Sequence, residues 1–406
     1  MIAPKLKDHF LPDLLPGKPK IPPLAKIPVT QLDFAPPNPI FVGYRYSMAS
    51  LDFLGENQLL FTFRVPGLIR RGPGGYQDNH ERQMRAVVLA LPSGKIQANA
   101  RWKLYDQQRY VWPLNDGHFL LRVRATLFEG NKKLQLKPIL HFPGPLLTIG
   151  MDPNQEYLLT NSREPAVPPG RTATGSPAAG SGGYRQASGA EPEFVLRLLR
   201  RSTGDVVMVS REQSVIHLPI NSTGYLQSAQ LNGPLWTVRM NYFNGGSANL
   251  ATIKSACLPT YNFISENEML ATTCKQDGGF RLIGMTTAGQ LLWSDTTSGY
   301  SVWPLVRRSA NGLRLVRETL AVTHPIGAFW ALEARDVEAQ RVRVFNAATG
   351  DVVFETTVDP VLDGGGNVAI SPSGRRVAIL THGAIDVYDL PPAPPLPKPP
   401  GTASAQ

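Results

Sequence analysis

The chain has 406 residues, of which 42% are apolar and only 18% charged, with 37 glycines and 37 prolines. There is material for a large core, but it is cut into short runs by turn residues, which leaves little room for long helices or for a membrane span of ~20 apolar residues. The net charge of +10 comes without a dense Lys/Arg run or a nucleic-acid motif; the clusters Arg70–Arg71 and Arg197, Arg200 and Arg201 are small and separate, so the charge reads as a basic surface.

Residues 1–25 form a Pro-rich arm. Its opening, "MIAPKLKDHFLPDLLPG", has basic residues but no apolar run of the length a secretory leader needs. The chain is therefore read as cytosolic, or as a trimmed or mis-started version of an exported one. From residue 26 to 390 the sequence repeats itself. Seven segments share one plan of apolar run, polar turn and second apolar run: 51–63, 111–123, 146–160, 215–229, 261–273, 302–316 and 367–380. Most are followed by a second hairpin whose turn carries glycine, at Gly94, Gly204, Gly289 and Gly350, where a positive φ costs little. Each unit is thus a four-stranded antiparallel meander. Units of ~40–50 residues with four strands point to a β-propeller, here an all-β ring of seven blades.

The tetrapeptide VWPL, at 111–114 and again at 302–305, marks the same position in blades two and six. Alternation supports burial between blades: Val342 and Val344 alternate with Arg341 and Arg343, and Ile385 and Val387 with Asp386 and Tyr388. Blade seven runs out after three strands, at "YDLPPAPPLPKPP", so its outer strand is expected from the N-terminal segment 26–34, closing a monomeric ring. The tail 391–406 reads as an extended polyproline end, more often solvated than docked.

The repeats "VFNAATGDVVFETTV" (344–358), "AISPSGRRVAIL" (369–380) and "IDVYDLP" (385–391) resemble those of bacterial WD40-like and quinoprotein-like (YVTN-type) propellers. The resemblance spans nearly the whole chain and implies the fold. The Gly-His and Trp-Asp pairing of true WD40 blades is absent, and so is the tryptophan-docking repeat of quinone-dependent dehydrogenases, so no pyrroloquinoline and no other cofactor is implied.

Three long insertions occupy the slot between the second and third strands of their blades: 64–83 in blade one, 164–192 in blade three and 323–340 in blade six. The segment 164–192 is rich in Gly, Pro, Ala and Ser and reads as disordered. Connections of this kind emerge on the same side of a propeller as those between blades, so the long loops crowd one rim. That is a binding face, or lengthening that costs little entropy. The candidate contacts there are Arg70, Arg71, Tyr76, His80 and Arg82 in the first insertion, and His324, Trp330 and Arg335 in the third. Tyr110, Tyr300, Asp359 and Asp363 sit on connections between blades. Basic and aromatic groups together suit an anionic, sugar or peptide ligand. Trp112 and Trp303 lie on inner strands, where they stack a ligand in the channel or pack between blades; packing is the favoured reading.

Catalytic signals are thin. The seven histidines are scattered without ligand spacing, the turn "DPNQE" (152–156) lacks the acidic series of a calcium loop, and there is no phosphate loop or nucleophile elbow. Cys257 and Cys274 flank the first hairpin of blade five and fall almost opposite each other, so a cross-strand disulfide in an exported protein and a pair of buried thiols both remain open. The expectation is a non-catalytic binding or scaffold propeller that recognises a protein, peptide or glycan on its loop-rich face. The alternative is an enzyme, a hydrolase, lyase or oxidoreductase, with its site at the central channel.

Overall fold

The computed structural model describes residues 7–9, 21–35, 40–41, 48–67, 80–106, 108–165, 193–276, 279–297, 300–325, 331–332, 334–358, 366–381 and 383–393. Among these, helix is confined to the short turns Thr30–Leu32 and Ala334–Asp336. Among the described residues, strands form seven small blades around a central channel, with a separate two-stranded pairing of Ile40–Phe41 with Ala331–Leu332 beside them. Blade one consists of Ser50–Gly55, Gln58–Arg64, Arg82–Ala90 and Ile96–Leu104, from the channel outwards. Blade two is Val111–Pro113, Phe119–Val123, Thr126–Gly130 and Leu136–His141. Blade three is Leu146–Met151, Tyr157–Glu164, Glu193–Arg200 and Val206–Glu212. Blade five is Thr260–Phe263, Glu268–Cys274, Phe280–Thr286 and Leu291–Thr296, and blade six is Ser301–Arg308, Arg314–Val322, Val337–Asn346 and Val352–Val358.

Blade seven contributes Val368–Ile370, Arg376–Leu380 and Ala384–Asp389, and its outer strand is Ala25–Pro28, from the other end of the chain. Ile27 sits opposite Ile385 in that antiparallel pair. Backbone bonds from Leu24 N–H to the Val387 carbonyl (2.7 Å) and from Val29 N–H to the Gly383 carbonyl (3.1 Å) extend the seam. The segment then anchors on blade one, where Arg85 gives Nη1 to the Leu32 carbonyl and to Asp33, each at 2.7 Å. The expected closure by the N-terminal segment is therefore present.

Besides that extra pairing, two features depart from the repeat. Lys7–His9, in the segment read as an arm outside the ring, pairs in parallel with Leu291–Thr296 as a fifth strand of blade five. Blade four has only three regular strands, Gly224–Asn232, Leu235–Tyr242 and Ser247–Lys254. Its inner segment, 215–220, touches the sheet through the single bridge Ile220 to Tyr225. Pro219 supplies no N–H for a ladder. Ile216 is paired elsewhere: its N–H goes to Oδ1 of Asn161 (3.3 Å) and its carbonyl accepts Nδ2 of the same side chain (2.8 Å). An amide of blade three thus stands in for a strand of blade four.

Every pair of neighbouring blades shares an apolar cluster, which is what closes the ring. Leu51, Phe61 and Val387 join blades one and seven; Leu60, Trp102 and Phe119 join one and two. Trp112, Leu127 and Leu158 join two and three, and Leu159, Leu198 and Ile220 join three and four. Val238, Met240 and Met269 join four and five. Leu270, Trp293 and Phe345 join five and six, and Val344, Val368 and Tyr388 join six and seven. The inner strands of each blade are covered by the neighbouring blade, although Val206, Val207 and Val209 on the outer strand of blade three stay exposed, so each blade depends on its neighbours for burial.

The interface between blades five and six shows how closely the sequence is fitted. Trp293 is fully buried, donates Nε1–H to the Ala347 carbonyl at 2.8 Å and stacks on Phe345 with centroids 6.3 Å apart. Gly350, one of the turn glycines, has φ +72°, and a Cβ there would stand 2.5 Å from the indole. Its glycine is required twice, by the turn and by the neighbouring tryptophan. Nearby, Arg317 and Asp295 form a buried ion pair at 2.5 Å. Such a pair costs a good deal in desolvation and is strongly destabilising only when one partner is removed.

Candidate functional site

The channel holds a cavity of about 840 Å³, to which all seven blades contribute. Its two ends differ. At the end formed by the turns between first and second strands, side chains lace successive hairpins together. Gln155 accepts the Asn115 N–H (2.7 Å) and donates to the Pro113 carbonyl (3.1 Å), tying blade three to blade two. Glu266 accepts both the N–H and the hydroxyl of Ser222 (2.8 and 2.6 Å), tying five to four. Glu56 accepts the N–H and the hydroxyl of Ser373 (2.6 and 2.8 Å), tying one to seven.

Two arginines of blade six reach further. Arg308 crosses the channel and donates Nη2 to the Pro153 carbonyl of blade three at 2.6 Å. Burial pulls its pKa below the usual guanidinium value, and the charges of Asp152 and Glu266 pull it back. Arg307 passes blade seven and donates Nη1 to the Leu51 carbonyl (2.8 Å) and to Asp52 of blade one (2.9 Å). This end is a laced floor.

The turn 152–156 explains itself in the same terms. Asp152 is buried, and its carboxylate accepts the N–H of Tyr157 (2.7 Å) and of Asn154 (3.1 Å). Burial raises its pKa, against the pull of those amides. It is a turn-fixing carboxylate.

At the opposite end the chain enters each inner strand and makes its connections between second and third strands. The second strands of blades one, three and six end, and their third strands begin, on this side. Here stand exposed apolar residues: Leu231 (58%), Leu235 (37%) and Leu258 (61%), with Tyr300 (41%) on the next connection. Leu231 and Leu235 bracket the turn of blade four, whose Pro234 carbonyl accepts the Ser255 N–H at 2.8 Å. Leu258 follows three residues later and also lines the cavity.

Its connection is clamped. Cys257 and Cys274 are joined by a disulfide, with Cα atoms 5.5 Å apart, and the Ser255 hydroxyl accepts the Cys274 N–H at 3.0 Å. Of the wall residues, His217, Thr260 and Asn262 are exposed to the cavity. His217 is exposed by surface area yet partly desolvated by the protein around it. The protein around it is what lowers its pKa from 6.5.

The residues singled out from the sequence are dispersed. Arg70, Arg71, Tyr76, Trp330, Asp359 and Asp363 lie outside the described residues. Trp303 belongs to the inner strand of blade six, with its side chain outside what is described. His80 is half-buried, and its carbonyl accepts Nη1 of the buried Arg82 at 2.9 Å. His324 is half-buried beside the Thr323 hydroxyl, 2.9 Å from Nδ1. Arg335 is exposed, 3.9 Å from Asp336.

Tyr110 is a correction. It is 1% exposed, so it does not stand on the rim; its hydroxyl donates to the Met48 carbonyl and accepts from the Thr62 hydroxyl at 2.7 Å. The ring packs between blades one and two, where the apolar faces of both are available to it. Trp112 is also buried, at 4%, packed between blades two and three with the Arg109 guanidinium 5.3 Å from its ring centre.

Sequence reasoning missed Asn161, Arg307, Arg308 and His217. The only signal available for His217 was its place in the inner run "VIHLPI".

Together, ring and channel define a seven-bladed β-propeller. No protein-family model matches the chain, and no curated protein does. Among solved structures it is similar to an acylaminoacyl peptidase from Pyrococcus horikoshii, at 10% identity and a TM-score of 0.48 over 86% of this chain and 52% of that one. The chain thus spans about half the length of that peptidase. It is also similar to a chain of a mitotic checkpoint complex, at 11% identity and a TM-score of 0.47 over 94% of this chain and 99% of that one. Among the described residues, no helix is long and apolar enough to cross a membrane.

Proposed function

We propose that this protein is a non-catalytic binding propeller that docks a segment of a partner protein on its loop-rich rim. One observation carries the reading: Leu231, Leu235 and Leu258 stand exposed on one side of the ring, Leu258 at the wall of a channel whose other end is crossed by hydrogen bonds between blades. Neighbouring exposed leucines on a rigid scaffold suit a protein contact. The disulfide beside Leu258 holds that connection in place, so less order has to be gained on binding. Arg70, Arg71, Tyr76, His80, His324, Trp330, Asp359 and Asp363 are proposed as further contacts, because the strand ends that flank their connections lie on this side of the ring.

The charged groups nearest the channel favour binding over catalysis. Asp152 is held by backbone amides, and Arg307 and Arg308 are held by partners in other blades. We read the repeats as kin to bacterial WD40-like and quinoprotein-like ones. We read the protein as exported, since disulfides persist in oxidising compartments.

The test compares wild-type protein with the Leu231→Asp/Leu258→Asp variant as baits in an envelope extract, with thermal melting to confirm that both are folded. A partner held by the wild type and lost by the variant supports the reading. Identical capture by the two overturns it.

A further inference from the structure

The cavity wall divides into groups already engaged and groups that are not. Asn161 spends its amide on Ile216 and on the Thr148 hydroxyl (2.9 Å). Arg307 is neutralised by Asp52, and its unpartnered Nε and Nη2 are closed off from solvent beneath the wall. Arg308 lies near Asp152 and spends its donors on backbone carbonyls. By contrast, His217, Thr260 and Asn262 are exposed, line the cavity, and make no side-chain hydrogen bond to another described residue. They come from the inner segments of adjacent blades, four and five.

Their chemistry is uniform. A neutral imidazole, a hydroxyl and a carboxamide each both donate and accept. Behind them the wall is apolar, with Ile149, Leu218 and Phe263. A volume of about 840 Å³ lies within the ~300–1,000 Å³ usual for small-molecule sites.

We infer that the channel is a binding site for an uncharged, hydroxyl-bearing small molecule of the size of a mono- or disaccharide, held by His217, Thr260 and Asn262. Sugar hydroxyls also donate and accept at once, so they match these three groups without either side leaving a polar atom unpaired. An anionic ligand would have to compete with Asp52 for Arg307, and a cationic one with Arg308 for Asp152. The site differs from the leucine-bearing rim in residues and in ligand, so either can fail alone.

The experiment titrates the full chain, by calorimetry and by thermal shift, with a panel of neutral mono- and disaccharides, with glucuronate and glucosamine as charged arms. At least one neutral sugar is expected to saturate and raise the melting temperature, at tenfold or greater affinity over both charged sugars. Asn262→Leu and His217→Leu each should weaken it by tenfold or more. Both side chains are exposed and unpaired, so the variants are expected to melt cooperatively within a few degrees of wild type, and Thr260→Val provides a third, isosteric change. The inference is overturned if no neutral sugar saturates, if a charged sugar binds as tightly, or if binding survives all three substitutions unchanged.

Discussion

Asn161 offers the sharpest test of how the channel wall is built. Replacing it with alanine removes both partners of Ile216 and the donor to Thr148. A neutral hydrogen bond contributes about 1 kcal/mol net, and more when a buried group is left unpaired. Ile216 is half-buried beside the channel, so water can reach part of it, and a loss of about 2 kcal/mol is expected for the two main-chain groups. At ~2.1 cal/mol/K of unfolding entropy per residue, a chain this long loses roughly 2–3 °C of melting temperature. The urea midpoint should fall with an unchanged slope, and amide exchange should accelerate at residues 216–218 while the strands of blade three stay protected. Thr148→Val, which removes one acceptor only, should cost less than half as much. If Asn161→Ala melts within half a degree of wild type and exchange at Ile216 is unaltered, then the amide does not stand in for the missing strand.

Gly350→Ala combines a strained φ with a clash against Trp293, and should cost ~2 kcal/mol or more by urea denaturation, against under ~0.5 kcal/mol for a surface alanine elsewhere. Reducing the disulfide, whose cysteines are 17 residues apart, should lower stability by about 3 kcal/mol, read as a melting shift with and without reductant. Asp295→Ala should cost ~3–5 kcal/mol by removing the buried carboxylate that pairs with Arg317, and the Asp295→Leu/Arg317→Met double variant should recover most of it. The folded-state pKa of His217 is lowered below 6.5, so its contribution is fully present above that pH and is lost as pH falls from 6.5 towards the folded value; His217→Gln should flatten the stability profile over that window.

The ring was legible because its signals are local. Hairpin turns need particular residues, blades need alternation, and a blade that stops at "VYDLPP" must find its fourth strand elsewhere, as Ala25–Pro28 provides. The channel was not legible, because its contacts join residues far apart in sequence. Arg308 meets Pro153 across the ring, and Asn161 replaces a ladder that the run "VIHLPI" appeared to promise. Pro219 was no clear warning, since the inner strands of blades two and six also carry prolines, Pro113 and Pro304, and are paired. Tyr110 misled for the opposite reason: a polar tip in a connecting segment reads as surface, yet the Met48 carbonyl and Thr62 satisfy it inside.

The seam between Ile27 and Ile385 sets an order on biosynthesis. The strand Ala25–Pro28 is made long before the strand it pairs with, and no amount of early folding can seal the circle until Ala384–Asp389 is free. Loop closure over so long a span costs only modestly more entropy than over a short one, but it must come late. A chain cut short in its final blade would therefore keep an unsatisfied edge at Ala25–Pro28, a mark by which quality control can tell an unfinished ring from a finished one.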